Sequence, residues 1–193
     1  MVRITTEAPW HRGAREALLD EALGLERQLK SSEGLREGRL PVKSLVALDG
    51  ETLVGSRLVG SLRLWRVREA SGRLVLLLGP LAVAEGWRGR GIGARLMRAA
   101  LNWAAAARYD AVVLVGDLAY YRRFGFENGL SARLAMAGHY DPARLLGLEL
   151  QPGALAALRG TLVAAGEPDP AVALLSQSAA SSHRRLARRR PIG

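Results

Sequence analysis

Apolar positions along this chain follow two spacings, and each spacing predicts a different element. From about Gly13 to Leu25, the residues Ala14, Ala17, Leu18, Ala22 and Leu25 recur at intervals of three and four, as on a helix with one buried stripe. Gly34 and Gly38 interrupt the next segment, and Pro41 opens an extended stretch. The run SLVALDGETLVGSRLVGSLRLWRV from Ser44 to Val67 reads as β structure, with Asp49-Gly50 as a turn. Within it, Leu62 and Leu64 alternate with arginines, the pattern of a strand with one buried face. After a second turn at Ser71-Gly72, LVLLLGPLAV (Leu74 to Val83) is nearly continuous in apolar residues, which predicts a central strand covered on both faces.

Gly79-Pro80 interrupts that strand. Proline removes a ladder donor and glycine weakens packing, so the strand is expected to bend, bulge or part from a neighbour there. Further on, Ile92, Leu96, Ala99, Ala100 and Trp103 share one face of a predicted helix, with Arg95, Arg98 and Asn102 on the other. DAVVLVGD (Asp110 to Asp117) is the next buried strand, and YYRRFGFENG (Tyr120 to Gly129) a short helix or turn ending in glycine. Beyond Leu130 the periodicity weakens, although ALRGTLVAA (Ala157 to Ala165) fits one last strand. A strand, a helix and a further strand in that order predict a mixed α/β (α+β) layer with parallel pairing in its middle. Residues 1–165 read as one domain. From Gly166 to Gly193 the proline, alanine, serine and arginine content reads as a basic, flexible tail.

Composition narrows the function. The chain has 193 residues, enough for one sizeable core, with 49% hydrophobic and 24% charged residues and no internal repeat. It contains no apolar run of bilayer length, and MVRITTEAPW lacks the apolar stretch of a secretory signal, so a cytoplasmic location without membrane partners is expected. Having no cysteine, the chain cannot use disulfides, thiolate metal sites or a cysteine nucleophile. Its three histidines, His11, His139 and His183, are too scattered to suggest a metal. The formal charge of +10 divides into +3 on the segment from Gly166, where five arginines face Glu167 and Asp169, and +7 on the body. Such a balance suits an anionic partner, whether nucleic acid, acidic surface or phosphorylated cofactor.

The sequence WRGRGIGARL (Trp87 to Leu96) lies between the apolar strand and the amphipathic helix. At a helix start, unpaired N–H groups and the positive end of the dipole favour an anion. Gly89, Gly91 and Gly93 keep side-chain bulk away from it, and Arg88 and Arg90 add full charges. A P-loop would need Gly-Lys-Ser/Thr, whereas this loop continues Gly93-Ala94-Arg95. A dinucleotide fingerprint fits poorly, because AEGW separates the strand from the first glycine and arginines fill the variable positions. The remaining pattern, Arg-x-x-Gly-x-Gly, is met by Arg88, Gly91 and Gly93.

With that pattern, GPLAVAEGWRGRGIGARLMRAAL resembles the acetyl-coenzyme A motif of the GNAT superfamily of N-acetyltransferases, and YYRRFGFE resembles the segment found after it there. The resemblance spans roughly Arg3 to Ala165 and is strongest from Leu78 to Glu127. It implies a central mixed, mostly antiparallel sheet with a splayed parallel strand pair, flanked by helices. It also implies acetyl-CoA as co-substrate, with main-chain groups of Leu81, Ala82 and Val83 meeting the pantetheine. Arg88, Gly89, Arg90, Gly91, Ile92, Gly93 and Ala94 would wrap the pyrophosphate. In such enzymes an amine attacks the thioester directly in a ternary complex, so no nucleophilic side chain is required. The acid for the departing thiolate would be Tyr121, three residues before the Phe-Gly pair, with its neighbour Tyr120 as the fallback.

The residues leave the general base open among Glu69, Glu85 and Asp117, none of which is singled out. The acceptor, a small-molecule or protein amine, is also open, although Arg57, Arg63 and Arg66 would favour an acidic one if they lined the cleft. Trp65 is either a cleft wall or core. The oligomeric state stays open too, a homodimer included. Two other readings compete: a catalytically silent acetyl-CoA sensor, and a nucleic-acid binder acting through SSHRRLARRRPIG, which lacks aromatic interleaving for base stacking.

Overall fold

The structure is a computed structural model describing residues 1–50 and 55–172. Its strands are β1 (Val2–Thr6), β2 (Lys43–Asp49), β3 (Arg57–Arg68), β4 (Leu74–Val83), β5 (Ala111–Val115), β6 (Leu134–Met136), β7 (Leu145–Glu149) and β8 (Gly160–Ala164). The main path of the sheet runs β1-β2-β3-β4-β5-β7, with β8 attached to β3 and β6 to β8. Along this path every pair is antiparallel except β4 and β5. The helices are α1 (Arg12–Leu23), α2 (Ser31–Gly34), α3 (Ile92–Ala106) and α4 (Leu118–Tyr121).

The burial of β4 on both faces explains why the sheet is built around it. Leu76 and Leu78 join one core with Leu18 and Leu19 of α1 and with Ile92, Leu96, Met97, Ala100 and Ala104 of α3. Val75 and Leu77 join a second core with Trp65, Val67, Val113, Leu134 and Leu162. A strand buried on both faces reads as the unbroken apolar run seen in the sequence. The predicted helices and the strands from Ser44 onward are present, apart from residues 51–54 of the first hairpin, which lie outside the described residues. β1, β6 and β7 were not anticipated, because VRITT and LAM are too short to show a period and LLGLE lies beyond the point where the pattern fades.

The segment after Ala165 begins as ordered chain. Leu40 donates its amide to the Glu167 carbonyl at 2.7 Å, and Asp169 donates to that of Gly38 at 2.9 Å. The arginine cluster of the expected tail falls in 173–193, outside the described residues. Among the described residues, no helix is long and apolar enough to cross a membrane.

Candidate functional site

Gly79 and Pro80 set the geometry of the site. On the β3 side, Leu62 pairs with Leu81 and Leu64 with Leu78, so two residues of β4 stand opposite the single Arg63, which is a bulge. The Gly79 carbonyl accepts from the Trp65 indole N–H at 2.7 Å. Trp65 is therefore a core residue with its polar atom satisfied, and no cleft wall. On the β5 side, parallel pairing stops after Leu76 with Val112 and Leu77 with Val113. From Leu78 onward β4 and β5 diverge, and β5 keeps its pairing with β7 instead.

The gap between them is a cavity of about 390 Å³. Leu78, Gly79, Pro80 and Leu81 form one wall, and Val115, Gly116, Tyr120 and Tyr121 the opposite one. Leu81, Ala82 and Val83 pair with β3 through one edge only, which leaves their other edge turned toward the gap. Ala82 is buried and can contribute only its main chain. The Val83 carbonyl accepts a long hydrogen bond, 3.3 Å, from Arg88 Nε.

Beyond Val83 a second cavity of about 310 Å³ is lined by Val83, Trp87, Arg88, Gly89, Gly91, Ile92, Gly93, Ala94, Tyr120 and Arg123. Gly89 and Gly91 lie at φ 76° and 73°, a left-handed backbone that L side chains rarely adopt, and a Cβ at either would meet nothing within 4 Å. Gly91 is the N-cap of α3 and has no side-chain cap. Among the described residues, no main-chain N–H from Gly89 to Ala94 donates to another main-chain group, and only at Arg95 does the helical ladder begin, with a bond to the Gly91 carbonyl. Five of these six residues, all but Arg90, line the hollow, and successive free amides at a helix start are the arrangement that suits an anion. Arg90 is placed differently from its companions, because its guanidinium stacks 4.8 Å from the Trp87 ring rather than lining the hollow. All the other cradle residues expected from the sequence come together.

Tyr120 borders both cavities. A Cβ at Gly93 would come within 2.8 Å of its hydroxyl, so glycine is what lets this ring close over the helix start. Tyr121 lines the strand gap alone and packs edge-on to Phe126 at 5.8 Å and to Tyr120 at 4.9 Å. Its ring occupies the space a Cβ at Gly116 would need. Burial, reinforced by Tyr120 and opposed by Arg144, pushes the Tyr121 hydroxyl up to about 12. Burial also raises that of Tyr120, against the Arg123 guanidinium 4.8 Å from its ring.

The three candidate bases separate clearly. Glu69 is buried at the far hairpin of β4, where it accepts from the Ser71 hydroxyl and from the amides of Ser71, Arg73 and Arg159. Despite burial, these donors hold its carboxyl at about 2, so it is a loop staple. Glu85 is exposed on the turn before the cradle. Asp117 lines the gap and caps α4 by accepting from the Ala119 amide at 2.9 Å.

Nor do the expected arginines line the gap. Arg63 is paired with Glu7, and Arg66 donates to the Tyr109 hydroxyl at 2.8 Å. The cations at the gap are Arg27, Lys30, Arg36 and Arg144, with Ser32 and Glu33 beside them. Sequence reasoning missed this wall, since residues 27–36 form short turns and Arg144 stands alone before β7. Among the 28 lysines and arginines of the chain, these four carry no distinguishing signal.

Comparisons with known proteins agree with this geometry. The family model of the acetyltransferase (GNAT) domain matches residues 42–128. The uncharacterized N-acetyltransferase YhbS of Escherichia coli K12 is 32% identical over 140 residues, 72% of this chain and 76% of that protein. The crystal structure of E. coli YhbS in complex with CoA superposes with a TM-score of 0.72 and 26% identity, over 85% of this chain and 89% of that one. A GNAT family acetyltransferase of Brucella melitensis, solved with acetyl-CoA, shares the fold at a TM-score of 0.58 and 24% identity, over 88% of this chain and 94% of that one.

Proposed function

The chain belongs to the GNAT family of acetyltransferases, and from that premise we propose that it moves the acetyl group of acetyl-CoA to a primary amine by direct attack within a ternary complex. The observation that carries this reading is the adjacency of the two cavities: the hollow at Gly89–Ala94 and the strand gap share Tyr120 as a wall. The hollow suits a pyrophosphate, and the open edge of Leu81–Val83 suits an amide-bearing arm entering between β4 and β5. Acetyl-CoA supplies a thioester whose carbonyl is the electrophile.

In this proposal Arg88 and the amides of Gly89, Arg90, Gly91, Ile92, Gly93 and Ala94 bind the pyrophosphate, with the Arg90 charge held nearby on Trp87. Leu81, Ala82 and Val83 fix the arm through main-chain bonds. As the C–N bond forms and the C–S bond breaks, Tyr121 keeps its proton and donates a hydrogen bond to the departing thiolate, while the proton released from the amine nitrogen passes to water. A thiol titrates at about 8.5. Full transfer from a hydroxyl held at about 12 to such a thiolate is uphill, so the role is stabilisation of charge by a donor that stays protonated. Tyr120 closes the junction between cradle and gap.

Isothermal titration with acetyl-CoA, with NADH and ATP as controls, tests the reading, and thiol release over a panel of amines comes second. Binding of acetyl-CoA with amine-dependent release of CoA is expected. Binding without turnover on any amine would favour the sensor, and no binding would overturn the assignment of the cradle.

A further inference from the structure

The lining of the gap carries cations whose partners differ. Arg27 is saturated: it meets Glu16 at 2.6 Å and Asp20 at 2.9 Å. Arg36 is buried and pairs with Glu33 at 2.9 Å, while its Nε and Nη2 hold the carbonyl and hydroxyl of Ser32. Both charges are thus matched by carboxylates. Lys30 and Arg144 line the same gap, are exposed, and make no ion pair among the described residues.

Both are nonetheless fixed at their backbones. Lys30 ends the turn that begins before Arg27, donating its amide to the Arg27 carbonyl. Arg144 ends the turn Pro142–Arg144, capped by the Asp141 side chain on the Ala143 amide. Its own carbonyl accepts from Gly116 at 2.9 Å, which ties it to the end of β5 at the edge of the gap. The carboxylates facing the gap are Glu33, taken by Arg36, and Asp117, which spends Oδ1 on the Ala119 amide.

We propose that the acceptor is an amine that also carries a carboxylate, and that Arg144 and Lys30 bind this carboxylate at the mouth of the gap. The inference rests on the acetyltransferase reading above and names the substrate class of that same site. A guanidinium fork matches a carboxylate in two hydrogen bonds, and an ammonium adds a point charge beside it. A surplus of positive charge also repels a polycation and disfavours the protonated form of the incoming amine, the form that cannot attack. An acceptor with its own anion is drawn in, while Asp117 remains to face the nitrogen end.

The test uses bisubstrate probes, in which CoA is joined through a sulfur-linked acetamide to the nitrogen of a short ω-amino acid of one to three methylenes. Each probe has a carboxamide twin, and a third set carries a terminal amine. Affinities are measured by calorimetry for the wild type and for Arg144→Gln, with CoA alone titrated alongside. For the best chain length, the carboxylate probe is expected to bind at least about tenfold tighter than its twin, equivalent to about 1.4 kcal/mol. Arg144→Gln should reduce that ratio to threefold or less. Equal affinities at every chain length, a preference for the terminal amine, or an unchanged ratio in Arg144→Gln would overturn the proposal while leaving CoA binding intact. Failure of CoA itself to bind would instead overturn the acetyltransferase reading, and this proposal with it.

Discussion

The proposed function gives the two ends of the gap beside β4 opposite means of recognition. At the cradle it is by main chain: among the described residues the six amides from Gly89 to Ala94 have no main-chain partner, and two glycines hold left-handed angles around a hollow. At the proposed acceptor wall it is by side chains from distant segments, Lys30 and Arg144, set on short turns. A backbone site is fixed by the conformation that makes the turn, so a change there is close to all-or-none. A side-chain site can be altered one charge at a time without touching the fold, and it is where members sharing one cradle can differ in acceptor.

The largest effect is therefore expected in the cradle. Gly91→Val must adopt φ 73°, a strain of about 1–3 kcal/mol for a residue other than glycine, and its side chain enters the hollow. Acetyl-CoA affinity should fall by more than about a hundredfold, roughly 2.7 kcal/mol, with far-UV circular dichroism unchanged. Normal binding by calorimetry would show that the hollow is not where the pyrophosphate sits.

Next in size is the point where the two ends meet. Tyr121→Phe should lower kcat about a hundredfold, within the range for losing one hydrogen-bond donor to developing charge. Tyr120→Phe, which removes a hydroxyl from the junction only, should cost less than about tenfold. Steady-state kinetics with acetyl-CoA and one turned-over amine would show this, and the reverse order would exchange the roles of the two tyrosines.

Glu69 marks a third place, at the far end of β4, where a carboxylate serves structure alone. Its folded-state value of about 2 lies below its ordinary 4.5. The stabilisation is thus fully present above about pH 4.5 and is lost as the pH falls toward about 2. Glu69→Gln should lower stability by about 2 kcal/mol at pH 7, a typical size for charged hydrogen bonds. It should also flatten acid destabilisation within that window, with turnover unaffected at temperatures where the variant is folded. Loss of turnover in the folded variant would mean that the hairpin and the gap communicate.

The smallest effects belong to the cradle arginines. Arg88 lines the hollow, while Arg90 stacks on Trp87. Arg88→Gln should weaken acetyl-CoA binding about fivefold and Arg90→Gln about twofold, the scale of exposed charge contacts. Both losses should shrink as salt is raised.

The same contrast explains what could be read from the sequence. The hollow at the start of α3 was legible because a turn with left-handed angles demands glycines at set spacings, and Gly89, Gly91 and Gly93 stand in order before an amphipathic helix. The parting of β4 was legible in Gly79-Pro80, since a bulge and a missing donor are consequences of those two residues alone. Tyr121 was named only through its distance from Phe124-Gly125, a pattern and not a derivation, and the structure places it in the strand gap without testing its role. Arg63 and Arg66 were misleading because alternation shows which face a side chain takes and not what meets it there. Glu7 and Tyr109 had already engaged them. Arg144 had no signal, since its position depends on Gly116 binding its carbonyl across the sheet, a contact set by tertiary structure.

The central claim is that the unpartnered amides at the start of α3 hold the pyrophosphate of acetyl-CoA. It is tested most directly by amide hydrogen exchange, resolved by residue with NMR, on the free protein and on the protein saturated with acetyl-CoA. The amides of Gly89 to Ala94 should exchange rapidly when free and become protected together on binding, with the largest slowing at Gly91, Ile92 and Gly93. Saturation with acetyl-CoA that leaves those amides unprotected, while protecting another segment, would contradict the account.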